Sequence, residues 1–228
     1  MPTHFTPAAL TFLRSLARHN DRAWFTPRKP TYERELRLPM LALIEEVNHA
    51  LASFAPEHVR PPHKALFRLY RDTRFSHDKR PYKTHIAAWW IRSGLEKTSG
   101  AGFYFHVSPK ETVIAAGMYM PSPEQLLAVR RHLELHHAEL RKLLARPKLR
   151  AALSEFEANR LTRPPRGFPA DSPALDPLLC RQWGVSATLP PETALSPSLL
   201  KEITSRFALA APIVHFLNTP LTERAASR

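Results

Sequence analysis

Gly102-Phe103-Tyr104-Phe105-His106-Val107, then Ser108-Pro109-Lys110-Glu111, then Thr112-Val113-Ile114-Ala115-Ala116-Gly117-Met118-Tyr119-Met120 is the stretch that decides the fold. In the first run Phe103, Phe105 and Val107 share one face of an extended chain, and Tyr104 and His106 the other. The second run is rich in strand-forming residues. The Pro109-Lys110-Glu111 link is short enough for a hairpin loop. Two antiparallel strands are therefore expected over 102–107 and 112–120.

Working outward, residues 85–92 are apolar on both faces and read as a strand covered on both sides. Residues 183–189 read as a last strand. From Leu66 the period also tends to two, with Phe67 and Leu69 on one face and Arg68, Tyr70 and Asp72 on the other. Helices flank this β-rich centre. Thr6-Pro7 is an N-cap signal for a helix over 7–19. A second helix is expected over 30–54, kinked near Pro39. Ser122-Pro123-Glu124-Gln125 opens a long helix to about residue 145, with a core face at Leu126, Val129, Leu133, Leu140 and Leu144. A short helix over 148–157, a proline-rich loop over 162–177 and a last helix from Ser196 to about Leu217, interrupted near Pro212, complete the reading. The fold class is α+β: a curved antiparallel sheet of about four or five strands with N- and C-terminal helices packed on it, read as one domain over 1–228.

Composition bounds the function. The 23 prolines are dispersed, so they punctuate helices and loops rather than build a linker. Six glycines leave little for a glycine-rich phosphate loop, and no dinucleotide or nucleoside-triphosphate signature occurs. The single cysteine, Cys180, excludes an internal disulfide and fits a reducing compartment. No apolar run approaches membrane-spanning length, and Met1-Pro2-Thr3-His4-Phe5 does not resemble a secretory leader. The expected compartment is the cytoplasm, with no membrane partner. A formal charge of +13 attracts polyanions and makes nucleic acid a candidate partner beside a small anionic ligand.

The polar chemistry is concentrated in residues 68–85. Six Lys or Arg against two Asp give this segment a formal charge of +4. It reads as strand, polar turn and strand, with Pro81 barring a helix. Arginine forks at 68, 71 and 74, interleaved with Tyr70 and Tyr82, suit carboxylate or phosphate. Asp72 and Asp78 would then orient the guanidinium groups. The competing reading is that Arg71, Arg74 and Lys79 pair with Asp72 and Asp78 and merely brace a loop. Histidines 63, 77, 85 and 106 show no metal-ligand spacing, so neither a metal nor another cofactor is expected. Ser76 and Cys180 lack the settings of activated nucleophiles.

Tyr70-Arg71-Asp72-Thr73-Arg74-Phe75-Ser76, followed by Asp78-Lys79 and Pro81-Tyr82-Lys83-Thr84-His85, resembles the hallmark of the domain of unknown function 2461 family. Asn20-Asp21-Arg22-Ala23-Trp24-Phe25 with Tyr32, Gly117-Met118-Tyr119-Met120-Pro121, and Pro165-Arg166-Gly167-Phe168 resemble its other motifs. The likeness spans about residues 4–218 and implies a single-domain bacterial protein.

These observations select one candidate site. Arg68, Tyr70, Arg71, Arg74, Asp78, Lys79, Tyr82, Lys83, His85 and Tyr104 are the expected ligand-binding residues. Asp72 and His106 are the acid–base candidates for a hydrolysis or group transfer. If the strand registers hold, Arg68, Tyr70, Asp72, Tyr104 and His106 project from one sheet face. A one-residue slip would separate them. The competing functions are a nucleic-acid-binding module, using exposed arginines over 122–150, and a structural or interaction protein with a salt-bridged hairpin. Oligomeric state is not legible.

Overall fold

The computed structural model describes residues 3–95, 100–156 and 159–226. Among them five strands form one open antiparallel sheet. β1 (Ile86–Ile91), β2 (Gly102–Val107), β3 (Thr112–Met118), β4 (Ser154–Glu155) and β5 (Trp183–Leu189) lie in the order β1-β2-β3-β5-β4. The α+β expectation is met. Strand β3 stops at Met118 rather than at residue 120. Met120 takes a left-handed φ of 56° before Pro121, which takes the chain out of the ladder.

The register assigns each face. Trp90 pairs with Phe103, Ala88 with Phe105, Phe105 with Ile114, and Ala116 with Val185. These residues are buried and form the core face. The opposite face carries Trp89, Tyr104 and His106, all half-buried. The four long helices are α1 (Pro7–Arg18), α2 (Leu38–Phe54), α3 (Pro123–Leu144) and α4 (Leu199–Ala226). α4 buries Ile203, Phe207, Ala210, Val214 and Leu217, and Phe207 meets the rings of Trp90 and Phe103. Burial of this order contributes about 1.5–3 kcal/mol per large side chain. It explains why α4 runs past Pro212 and Pro220, where an interruption near Pro212 and an end near Leu217 were expected. Each proline removes one backbone hydrogen bond, which the packed face outweighs. Among the described residues no helix is long and apolar enough to cross a membrane.

Other departures have local causes. Thr6 sits at the N-cap of α1, but its hydroxyl donates to Glu35 at 2.8 Å instead of accepting from the helix. The irregularity expected near Pro39 falls one turn earlier, as a π-turn over Glu33–Arg37. Pro39 has no N–H for the Glu35 carbonyl, and the widened turn relieves the clash with it. α3 opens with a capping box, Ser122 accepting from the Gln125 N–H and Gln125 from the Ser122 N–H. The helix expected over 148–157 is only Pro147–Ala152. Ser154 and Glu155 pair with β5 instead. Glu157, the end of that expected helix, lies outside the described residues, as do Met1 and Pro2 of the N-terminus. Part of the loop expected over 162–177 winds into the turn Leu175–Leu178.

Candidate functional site

Residues 66–85 form a hairpin that overhangs the edge of β1, not the strand pair expected. The isolated bridge Tyr70 to Tyr82 is its rung, and the bridge Leu66 to Ala88 ties its base to β1. The Arg71 N–H donates to Pro81 and the Lys83 N–H to Leu69. Pro81 cannot donate, so a continuous ladder cannot form.

The turn is held by two copies of one device. Asp72 accepts from both the backbone and the guanidinium of Arg74, at 3.2, 3.0 and 2.8 Å. Asp78 does the same for Arg80, at 3.1, 2.9 and 2.7 Å, and also takes Arg71 at 2.6 Å. Lys79 donates to the Thr73 carbonyl at 3.0 Å. The Arg74 hydrogen bonds hold Asp72 down at about 2, and Arg80, then Arg71, push Asp78 well below the usual carboxylate range. Asp72 is thus an ionised, bidentate partner of its own turn, a poor acid–base group at neutral pH. Of the expected ligand-binding set, Arg71, Arg74, Asp78 and Lys79 are engaged in this brace. Tyr82 is buried between Phe25 (ring centroids 4.4 Å apart) and Tyr70 (5.3 Å), while Tyr70 is exposed.

Asn20 fastens the hairpin to the helical layer. Its amide donates to the Tyr82 carbonyl at 2.9 Å and its carbonyl accepts from the Tyr82 N–H at 3.0 Å. Nothing local in the Asn20-Asp21-Arg22-Ala23-Trp24-Phe25 motif signals this role, because the partner lies 62 residues away. Asn20→Ala leaves both Tyr82 backbone groups without that partner and should cost about 1–3 kcal/mol. It should also increase limited proteolysis within residues 73–80. Unchanged cleavage would show that the aromatic stack alone seats the hairpin.

The other half of the expected set gathers on the outer sheet face. The bridge Leu66 to Ala88 sets Phe67 on the face of Trp89 and Tyr104, with ring centroids 6.1 and 6.2 Å away. Tyr70 lies against Tyr82 and Asp72 is bound to Arg74 in the turn, while the Arg68 charge acts on Lys83. The chain bends at Leu69, so alternation does not carry the expected five-residue row through the segment. The Lys83 Nζ lies 4.8 Å over the Phe67 ring. The His85 and His106 rings are 5.3 Å apart, and Tyr104 Oη is 3.0 Å from His106 Nδ1. Glu111, assigned by sequence only to a hairpin loop, stands 3.6 Å from His106 Nε2. A carboxylate there favours a proton on Nε2, leaving Nδ1 to accept the Tyr104 hydroxyl.

Burial sets the charges of this cluster. It lowers His106 to about 4, and together with His106 and Lys83 it lowers His85 to about 4. Burial, helped by Glu111, raises Tyr104 to about 12. Burial and then Arg68 lower Lys83. At neutral pH a half-buried ammonium stands beside the neutral His85, which adjoins the neutral His106 and the Tyr104 phenol. Among the described residues neither Lys83 nor the exposed Arg68 makes an ion pair. Among the described residues no three His, Cys, Asp or Glu are placed to hold a metal ion.

Residues 8–216 match the model of a protein family described as "Conserved hypothetical protein (DUF2461)". No curated protein matches the chain.

Proposed function

We propose, for a chain that belongs to the DUF2461 family, that it binds a small phosphate- or carboxylate-bearing ligand on the outer sheet face, through Lys83, His85, Tyr104 and His106, with Arg68 at the rim. The observation that carries this reading is the Lys83 ammonium: half-buried, without a carboxylate, and set against Phe67 beside two histidines. A partly desolvated cation without a counterion is costly, and an anion relieves that cost. Lys83 is held by its N–H bond to the Leu69 carbonyl and by the tie of Asn20 to Tyr82, with the braced turn beyond them. His106 is the acid–base member for hydrolysis or group transfer. Near 4 its imidazole is a weak base, but a bound anion favours the imidazolium and moves it toward the working range.

Inorganic phosphate and acetate are the probes. Calorimetric titration should detect saturable binding. Lys83→Met should weaken it about tenfold or more, a difference of about 1.4 kcal/mol. Arg74→Ala, in the brace, should leave affinity within about twofold. Equal losses in the two variants would overturn the assignment in favour of diffuse attraction by the net charge.

Nucleic acid is the second reading, and the helical surface argues against it. Arg131, Arg141, Lys142 and Arg146 are exposed over α3 and its end, but Glu124, Glu134 and Glu139 are interspersed among them and also exposed. Mixed signs break the basic stripe that backbone phosphates require.

A further inference from the structure

A second site stands apart from the outer sheet face and rests on different residues. A cavity of about 480 Å³ opens between the C-terminal half of α3, the Pro147–Ala152 helix, β4 and the start of β5. That volume is in the range of small-molecule sites. α3 breaks its regular helix at His136 (φ −121°, ψ 17°), and His137, Leu140, Arg141 and Leu144 beyond the break line the cavity. Opposite them stands Phe156, whose ring lies where a Cβ on Gly184 would be, 2.5 Å from its nearest ring carbon. Any side chain at residue 184 would displace this wall.

The charges of the lining are unequal. Arg160 is paired with Asp176 at 2.5 Å. Among the described residues Arg141 donates to the Pro173 carbonyl, at 3.4 Å, and neither Arg141 nor Arg150 makes an ion pair. Against these two guanidinium groups the cavity offers one further carboxylate among the described residues, Glu155. Among those residues one positive charge is left over. Leu140, Leu144, Phe156 and Ile213 supply apolar surface, and Gln182 adds a polar side chain to the lining. His137 adds a buried Nδ1 with no hydrogen-bond partner, a group that a polar ligand atom would satisfy.

We propose that this cavity binds a monoanionic carboxylate with a compact apolar body. One negative charge balances the surplus of Arg141 and Arg150, whose forks suit a carboxylate. A doubly charged phosphate would overshoot and face Glu155 and Asp176. The apolar walls take the body of the ligand. The reading is independent of Lys83 and of the outer-face site.

The chain carries its own reporter. Cys180, its single cysteine, is buried and lines this cavity. The probe is 1-naphthoate, with uncharged 1-naphthalenemethanol as control, and the readout is the rate of N-ethylmaleimide addition to the thiol. Naphthoate should slow the reaction saturably, several-fold at full occupancy, and the alcohol should not. Arg141→Ala/Arg150→Ala, both at exposed positions, should raise the half-effect concentration about tenfold or more. Lys83→Met should leave it unchanged. Calorimetry of the same probe on the same proteins decides the question where the free thiol reacts too slowly. No binding at millimolar naphthoate, equal protection by the alcohol, or indifference to the double substitution would overturn the proposal.

Discussion

Asn218→Ala should lower the free energy of unfolding by about 3 kcal/mol, among the larger losses expected of one substitution in this chain. The Asn218 carbonyl accepts from the Ala101 N–H at 2.8 Å, and its amide donates to the Ala101 carbonyl at 3.0 Å. Both residues are buried, with exposures of 1% and 0%, so water cannot replace the lost partners. Gly100 is fitted to this contact: its φ is +82°, and a Cβ there would lie 2.7 Å from the Asn218 side-chain oxygen. Ala101 leads directly into β2, so the tie also positions Tyr104 and His106. Urea denaturation of the variant measures the effect. A loss below about 1 kcal/mol would mean that the Ala101 groups find other partners.

Asn218 also shows why some of the fold could not be read in advance. Local propensity places an interruption near Pro212 and the end of the last helix at about Leu217, because proline interrupts a helix. Here tertiary packing decides, and the turns that carry Asn218 survive. By contrast, the 102–118 hairpin rests on alternation over 102–107 and strand-forming residues after it, and the start of α3 on N-cap chemistry, all of them local and legible. β4 has two residues and no pattern of its own. It exists because β5 offers an unpaired edge.

The candidate site divides along the same line. Residues 68–85 were legible as the chain's concentrated chemistry, but which charges neutralise one another was not. A signal was present: Asp72-Thr73-Arg74 and Asp78-Lys79-Arg80 repeat one spacing, an aspartate that can take both the backbone and the fork of the arginine two residues on. That spacing marks Asp72, an acid–base candidate, and Arg74, a ligand-binding candidate, as partners of each other. Phe67 depended on parity. A single bridge at Leu66 decides it, and alternation alone cannot choose between the two registers. The arginine-lined cavity draws on residues from His137 to Ile213, so no local window contains it.

Acidification should destabilise the protein between about pH 6.5 and pH 4, through the histidine pair. Both folded values are near 4, against an ordinary 6.5. In that window the unfolded chain binds more protons than the native one. The stability contributed by the neutral rings is therefore complete above pH 6.5, falls as pH drops toward 4, and changes little below. The upper figure is about 3 kcal/mol for each ring, with the repulsion between the two charged rings already contained in the His85 value. Around them stand Lys83, which opposes protonation, and Glu111, 3.6 Å from His106, which would receive it. His58, lowered chiefly by burial, adds a slope of the same sign. Asp72, held at about 2, titrates in a lower window and is distinguishable. His85→Asn/His106→Gln should flatten the decline in unfolding free energy between pH 6.5 and 4.5, leaving the part due to His58. Saturating phosphate should flatten it too, because an anion beside Lys83 stabilises both imidazolium forms in the native state. A pH slope that survives the double substitution places the titration elsewhere. A slope lost in the double variant yet indifferent to phosphate would confirm the buried pair and reject the anion beside it.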